Sequence, residues 1–179
     1  FKLTSTNGSS YLTNLSFSTQ GTYQNSDIYV FRLWSNTSDN FVGATELTNQ
    51  WTTDNTVDFS FWDYISDAQT RFYFITADLN DAAISSRTIQ VRAISANALA
   101  FSPAASITGG PTTISGIQTI GSPTITLSDG QTVVAGNVLQ GVSNFLIGSF
   151  KISTSIANAK LVAFNFSTSG TFQADDISY

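Results

Sequence analysis

The sequence predicts an all-β protein, an antiparallel β-sandwich that runs on into the opening strands of a second copy of itself. Three observations predict this. First, residues 150–179 restate residues 1–30 without a gap, at an offset of 149 and with eleven identical positions. The most specific shared stretch has the pattern FSTxGTxQ, at 17–24 and again at 166–173. Second, the chain holds one Glu and three Lys among 179 residues, which starves it of good helix formers. Thr, Val, Ile, Phe, Tyr and Trp, which favour strands, take their place. Third, apolar residues alternate with polar ones at a period of two, and turn-forming residues separate the runs.

The elements follow in order. Leu15, Phe17 and Thr19 alternate with polar residues, and GTYQNSD then turns the chain. In DIYVFRLW, Tyr29, Phe31 and Leu33 form the expected core face, with Ile28, Val30 and Arg32 on the other. Val57, Phe59 and Phe61 alternate with Asp58, Ser60 and Trp62. Residues 72–77 are apolar on both faces, as in a strand covered on both sides. Ile89, Val91 and Ala93 read as a half-buried strand, and Leu99 and Phe101 close the set before Pro103.

Residues 103–123 differ. They hold all three prolines, four glycines and no charge, and predict an inter-domain linker over 110–123. The first unit then covers 1–109, and 124–179 supplies the first strands of the next. TITLSDGQTVV reads as a strand, an Asp-Gly turn and a strand start. Residues 137–155 carry one or two further strands, and 160–168 repeats the strand of 11–19. A unit of about 150 residues holds its own core, so the repeat predicts beads on a string.

The second unit has strands at 124–149 ahead of Phe150, and nothing comparable precedes Phe1. The first unit as given is therefore expected to lack one or two edge strands, and such an edge is adhesive when left open. Two remedies are open: strand addition by segment 118–149 of a neighbouring chain, or a longer parent protein. The contact between units or subunits is expected in 110–149, at Thr124, Ile125 and Leu127 and at Val133, Val134, Val138 and Leu139.

Composition excludes several functions. A net charge of −5 with no basic patch argues against nucleic acid. Without His or Cys there is no Ser-His or Cys-His nucleophile and no thiolate metal site. No apolar run reaches the length of a membrane span. No cofactor is expected and no catalytic residue stands out. Calcium is the best metal candidate, at Asp78, Asn80 and Asp81, although turn-capping by the same side chains accounts for them as well. Trp34, Trp51 and Trp62, with Tyr64, are candidates for stacking on a sugar, against a core or interface role.

The elements VLQG, FSTSGTFQADDIS, GATEL and FYFITADL resemble the repeated immunoglobulin-like modules of very large secreted surface proteins of Bacteroidota-type bacteria. The resemblance covers most of the chain. It implies an immunoglobulin-like antiparallel β-sandwich repeat, secreted to the cell surface, that acts as a spacer, adhesin stalk or filament material and not as an enzyme. Its partners would be copies of itself or adjacent modules of the same chain. The alternative is a polysaccharide-binding module that uses surface aromatics, with or without calcium.

Overall fold

The computed structural model describes residues 1–51, 54–155 and 158–177. They form two compact units, Phe1–Gly121 and Ser122–Tyr179.

The first unit has nine strands: β1 (Lys2–Thr4), β2 (Ser10–Gly21), β3 (Ile28–Asn36), β4 (Thr45–Gln50), β5 (Thr56–Ile65), β6 (Thr70–Leu79), β7 (Thr88–Val91), β8 (Leu99–Ser102) and β9 (Gln118–Thr119). One sheet has the order β1-β6-β3-β4; the other has the order β5-β2-β7-β9, with β8 also on β2. Every pairing is antiparallel.

The two sheets face each other across one core, an arrangement consistent with a β-sandwich. Leu12, Leu15 and Phe17 of β2 and Val57, Phe59 and Phe61 of β5 come from one side. Phe31 and Leu33 of β3 and Tyr73 of β6 come from the other. The rings of Phe17 and Phe31 meet edge to face between the sheets, with centroids 5.8 Å apart. Strict alternation in β5 turns Val57, Phe59, Phe61, Asp63 and Ile65 inward, and Trp62 and Tyr64 outward. Burial of each large apolar side chain contributes about 1.5–3 kcal/mol.

Two irregularities depart from simple alternation. Leu12 and Leu15 are three apart, yet both are fully buried. A register shift between Leu12 and Asn14 lets both face inward. A second shift, between Ile28 and Val30, changes the phase of β3. Phe31 and Leu33 take the core face as expected, but Tyr29 is exposed and Ile28 joins the core in its place.

Residues 110–123, expected as a linker, are in large part hydrogen-bonded into the first unit. Thr112 N donates to Ile94 O (2.9 Å), Ser115 N to Val91 O (3.0 Å) and Ile120 N to Arg87 O (2.8 Å). Strand β9 pairs with β7, and Ile120 is buried. Here the segment runs hydrogen-bonded along a sheet edge. Backbone donors and acceptors beside β7 satisfy the segment's own.

Among its described residues the second unit holds one hairpin, β10 (Thr124–Asp129) paired with β11 (Phe150–Ser155). All twelve of these residues are exposed. Of the further strands expected over 137–155 only β11 forms, and residues 160–168 form none. Leu161 and Phe166 are 61% and 74% exposed, whereas their repeat equivalents Leu12 and Phe17 are 0% and 4% exposed. The physical reason is the missing cover. In the first unit β5 and β8 flank this stretch, and no counterpart of either lies among the described residues of the second unit.

Candidate functional site

The feature of the first unit best suited to a partner is a sheet edge. Phe1 N donates to Tyr73 O (3.0 Å) and Tyr73 N to Phe1 O (2.7 Å). Four residues on each way, Ser5 N donates to Gln69 O (3.0 Å). Antiparallel pairing alternates, so the backbones of Phe1, Leu3 and Ser5 face β6, and those of Lys2 and Thr4 face outward. β1 pairs with β6 alone among the described strands, which leaves that outward side unladdered. Beside it lies a groove of about 420 Å³ whose apolar lining includes Leu3, Ile65 and Phe101. Leu3 belongs to one sheet, and Ile65 and Phe101 to the other. The groove therefore opens between the two sheets.

In the second unit, the expected contact residues Thr124, Ile125 and Leu127 fall on β10. Val133, Val134, Val138 and Leu139 do not form a strand; they lie exposed in the long connection between β10 and β11.

The three tryptophans are not brought together. Trp34 of β3 is half-buried, donates from Nε1 to Thr76 Oγ1 (2.9 Å) and packs edge-on against Phe41. Trp51 is exposed and meets Tyr29 with ring centroids 4.1 Å apart. Trp62 is the most exposed of the three and sits beside Tyr11, which in turn touches Tyr64. This last cluster of three rings lies on the outer face of β2 and β5. Tyr11 was missed in the sequence because its role comes from cross-strand register, Tyr11 opposite Tyr64.

Two of the three calcium candidates have other occupations, and Asp81 lies exposed in the turn after β6. Asp78 Oδ2 accepts from Arg32 Nη2 (2.8 Å), and Arg32 also holds Glu46, so the trio bridges β6, β3 and β4. Asn80 Nδ2 donates to Ser26 O (2.7 Å) and Ile28 O (3.2 Å). Among the described residues no group of three or more His, Cys, Asp and Glu side chains gathers to hold a metal ion. Also among the described residues, no helix is long and apolar enough to cross a membrane.

The buried polar groups hold the scaffold together. Tyr73 Oη donates to Asp63 Oδ2 (2.8 Å), while Arg71 reaches Asp63 Oδ1 (3.2 Å). Burial, then the Asp63 hydrogen bond, push the Tyr73 phenol well above its usual range. It stays a neutral donor.

Asp27 is almost fully buried. It accepts from Gln24 N (2.7 Å), Ile84 N (3.0 Å) and Arg87 Nη1 (2.8 Å). These bonds, the Gln24 amide foremost and then Arg87, hold its carboxyl down at about 2 from an ordinary 3.8. A lowered carboxylate pKa adds stability that is fully present above the unfolded value and fades as pH falls through the folded one. The thermal midpoint is therefore expected to drop between about pH 4 and pH 2. In Asp27→Asn it should be lower at pH 7 and lack that segment of the pH dependence. Melting curves followed by circular dichroism across this range check it; an unchanged slope in the variant would contradict the assignment.

Compared with family models, curated proteins and solved structures, the chain matches none.

Proposed function

We propose that the chain is a non-enzymatic structural module: an immunoglobulin-like β-sandwich repeat of an extracellular bacterial filament or surface stalk or adhesin, assembling end to end. One observation carries this reading. The outward side of β1 carries no described strand, and in the second unit the repeat-equivalent core residues, Leu161 and Phe166 among them, stay in solvent. Exposed apolar surface of this kind marks a site of association. The role is mechanical: antiparallel sheets closed by main-chain hydrogen bonds bear load, and repetition sets length. Partners are copies of the chain or adjacent repeats. The acidic balance, −5 overall, gives nucleic acid nothing to bind.

A second reading rests on the Tyr11–Trp62–Tyr64 cluster. Three neighbouring exposed rings on one sheet face offer a stacking surface for a polysaccharide.

Electron microscopy and light scattering over a range of concentrations separate the two. The structural reading expects elongated assemblies whose mass grows with concentration. Isolated monomers throughout, together with glycan binding that disappears in Trp62→Ala, would replace it with the second.

A further inference from the structure

We propose that the outer edge of β1 is an acceptor for strand β10 of a second copy of this chain, added antiparallel with Lys2 opposite Ser128, Leu3 opposite Leu127 and Thr4 opposite Thr126. The proposal rests on the structural reading above and specifies its joint.

The internal repeat supplies the geometry. β11 is the repeat equivalent of β1: Phe150, Lys151, Ile152 and Ser153 stand for Phe1, Lys2, Leu3 and Thr4. β11 pairs with β10 in a continuous register, with Lys151 opposite Ser128, Ile152 opposite Leu127 and Ser153 opposite Thr126. Gly130 N donates to Ser149 O (3.4 Å), which sets the alternation of that ladder. By that alternation the backbones of Lys151 and Ser153 are the ones that face β10. Their equivalents in β1, Lys2 and Thr4, are the residues whose backbones face away from β6. The edge that β11 uses for β10 is thus the edge that β1 leaves unladdered. The two pairings use opposite sides of one strand type. A single strand of this sequence can hold a β6 and a β10 at once.

The side chains agree with the backbone. β10 alternates Thr124, Thr126 and Ser128 on one face with Ile125 and Leu127 on the other. Set against β1 in the β11 register, Leu127 falls beside Leu3 on the core side. There lies the groove lined by Leu3, Ile65 and Phe101, which residues 105–108 also line. The hydroxyl face falls beside Lys2 and Thr4, which point to solvent. In the chain as it stands Ile125 and Leu127 are 59% and 70% exposed.

The donor comes from a second copy for two reasons. A lone two-stranded hairpin is only marginally stable in water, and among the described strands β10 is held by β11 alone, so exchange to a new edge is cheap. Each copy also carries one acceptor edge in its first unit and one donor strand in its second. The contact is therefore between unlike surfaces, and unlike surfaces propagate as open chains of subunits.

The chain has no cysteine of its own, so introduced thiols report without background. Leu3 and Leu127 would form a non-hydrogen-bonded pair, whose close Cα spacing suits a disulfide. The full-length double variant Leu3→Cys/Leu127→Cys, mildly oxidised, is expected to give a ladder of trimers and higher multimers on a non-reducing gel. Each single variant should stop at dimers, and Leu3→Cys/Val134→Cys should give no ladder. Thr4→Pro is an independent check. It removes an outward-facing amide and leaves the main-chain pairing with β6 intact, losing only the exposed Thr4 Oγ1–Thr70 Oγ1 bond (2.8 Å) on that side, so it should change the thermal midpoint little and abolish assembly. Amide exchange at Lys2 and Thr4 in the unaltered chain should slow as concentration rises.

A disulfide confined to monomers would overturn the proposal in favour of closure within one chain. Assembly that persists in Thr4→Pro, without a crosslinked ladder and without protection of Lys2 and Thr4, would overturn it while leaving the structural reading standing. Monomers at every concentration would overturn both.

Discussion

Phe59→Ala is expected to destabilise the first unit by about 3–5 kcal/mol, the range for truncating a fully buried aromatic residue. Phe59 has no exposed surface, lies in the middle of β5 and packs against Phe17 with ring centroids 5.5 Å apart. Phe17 in turn meets Phe31 of the opposite sheet. The cavity would therefore open at the point where the two sheets touch, where neighbours held by two ladders cannot collapse into it. For a unit of this size the melting midpoint should fall by roughly 10–20 °C. Trp62→Ala, on the outward face of the same strand, should shift it far less. Equal shifts from the two variants in denaturation curves would contradict the core assignment.

Gly21→Ala should cost about 2–5 kcal/mol, from backbone strain together with overpacking. Gly21 has a φ of +139°, and a Cβ built there would stand 2.0 Å from the backbone oxygen of Thr88. That same oxygen accepts from Thr22 N (3.0 Å) and Tyr23 N (3.1 Å), so a displaced Thr88 also loses the junction between β2 and β7. Gly170, the repeat equivalent, has a φ of +148°, but a Cβ there would meet only the Phe172 ring, at 3.4 Å. Gly170→Ala is therefore expected to leave the main unfolding transition unmoved. Chemical denaturation of the two variants side by side reads the difference directly. If Gly170→Ala proved as damaging as Gly21→Ala, the second unit would have to be packed as the first is.

The all-β class and the core face of β5 were legible because period-two alternation is a local signal, uninterrupted from Val57 to Ile65. Tyr29 was misread because a register shift between Ile28 and Val30 depends on the partner strand β6, not on residues 28–30 themselves. The linker was overestimated for a similar reason. Glycine and proline do mark a break from regular secondary structure, but they do not say whether an edge such as β7 lies within reach. Of the expected contact residues, Thr124, Ile125 and Leu127 were placed on a strand by their own alternation. Val133 to Leu139 have apolar character without a partner to order them. The three tryptophans share a residue type but sit in three separate clusters, since strand order decides which rings meet.

The repeat separates what each level decides. Gln24 and Asp27 lock a short turn, with Gln24 N donating to Asp27 Oδ2 (2.7 Å) and Asp27 N to Gln24 O (2.8 Å). Gln173 and Asp176 build the same turn in the second unit, with Gln173 N to Asp176 Oδ2 at 2.7 Å and Asp176 N to Gln173 O at 3.0 Å. That turn needs only residues three apart, so the sequence alone determines it in both places. The strand before it behaves differently. Residues 10–21 form β2 with Leu12 and Phe17 buried, whereas the equivalent residues 159–170 form no strand, and Leu161 and Phe166 are exposed to solvent. A strand needs hydrogen-bond partners on its flanks and apolar surface across from it, and both come from residues distant in the chain. Alternation and turns were therefore determined by sequence; which edges are closed, and which remain open to a partner, was decided only by the tertiary structure.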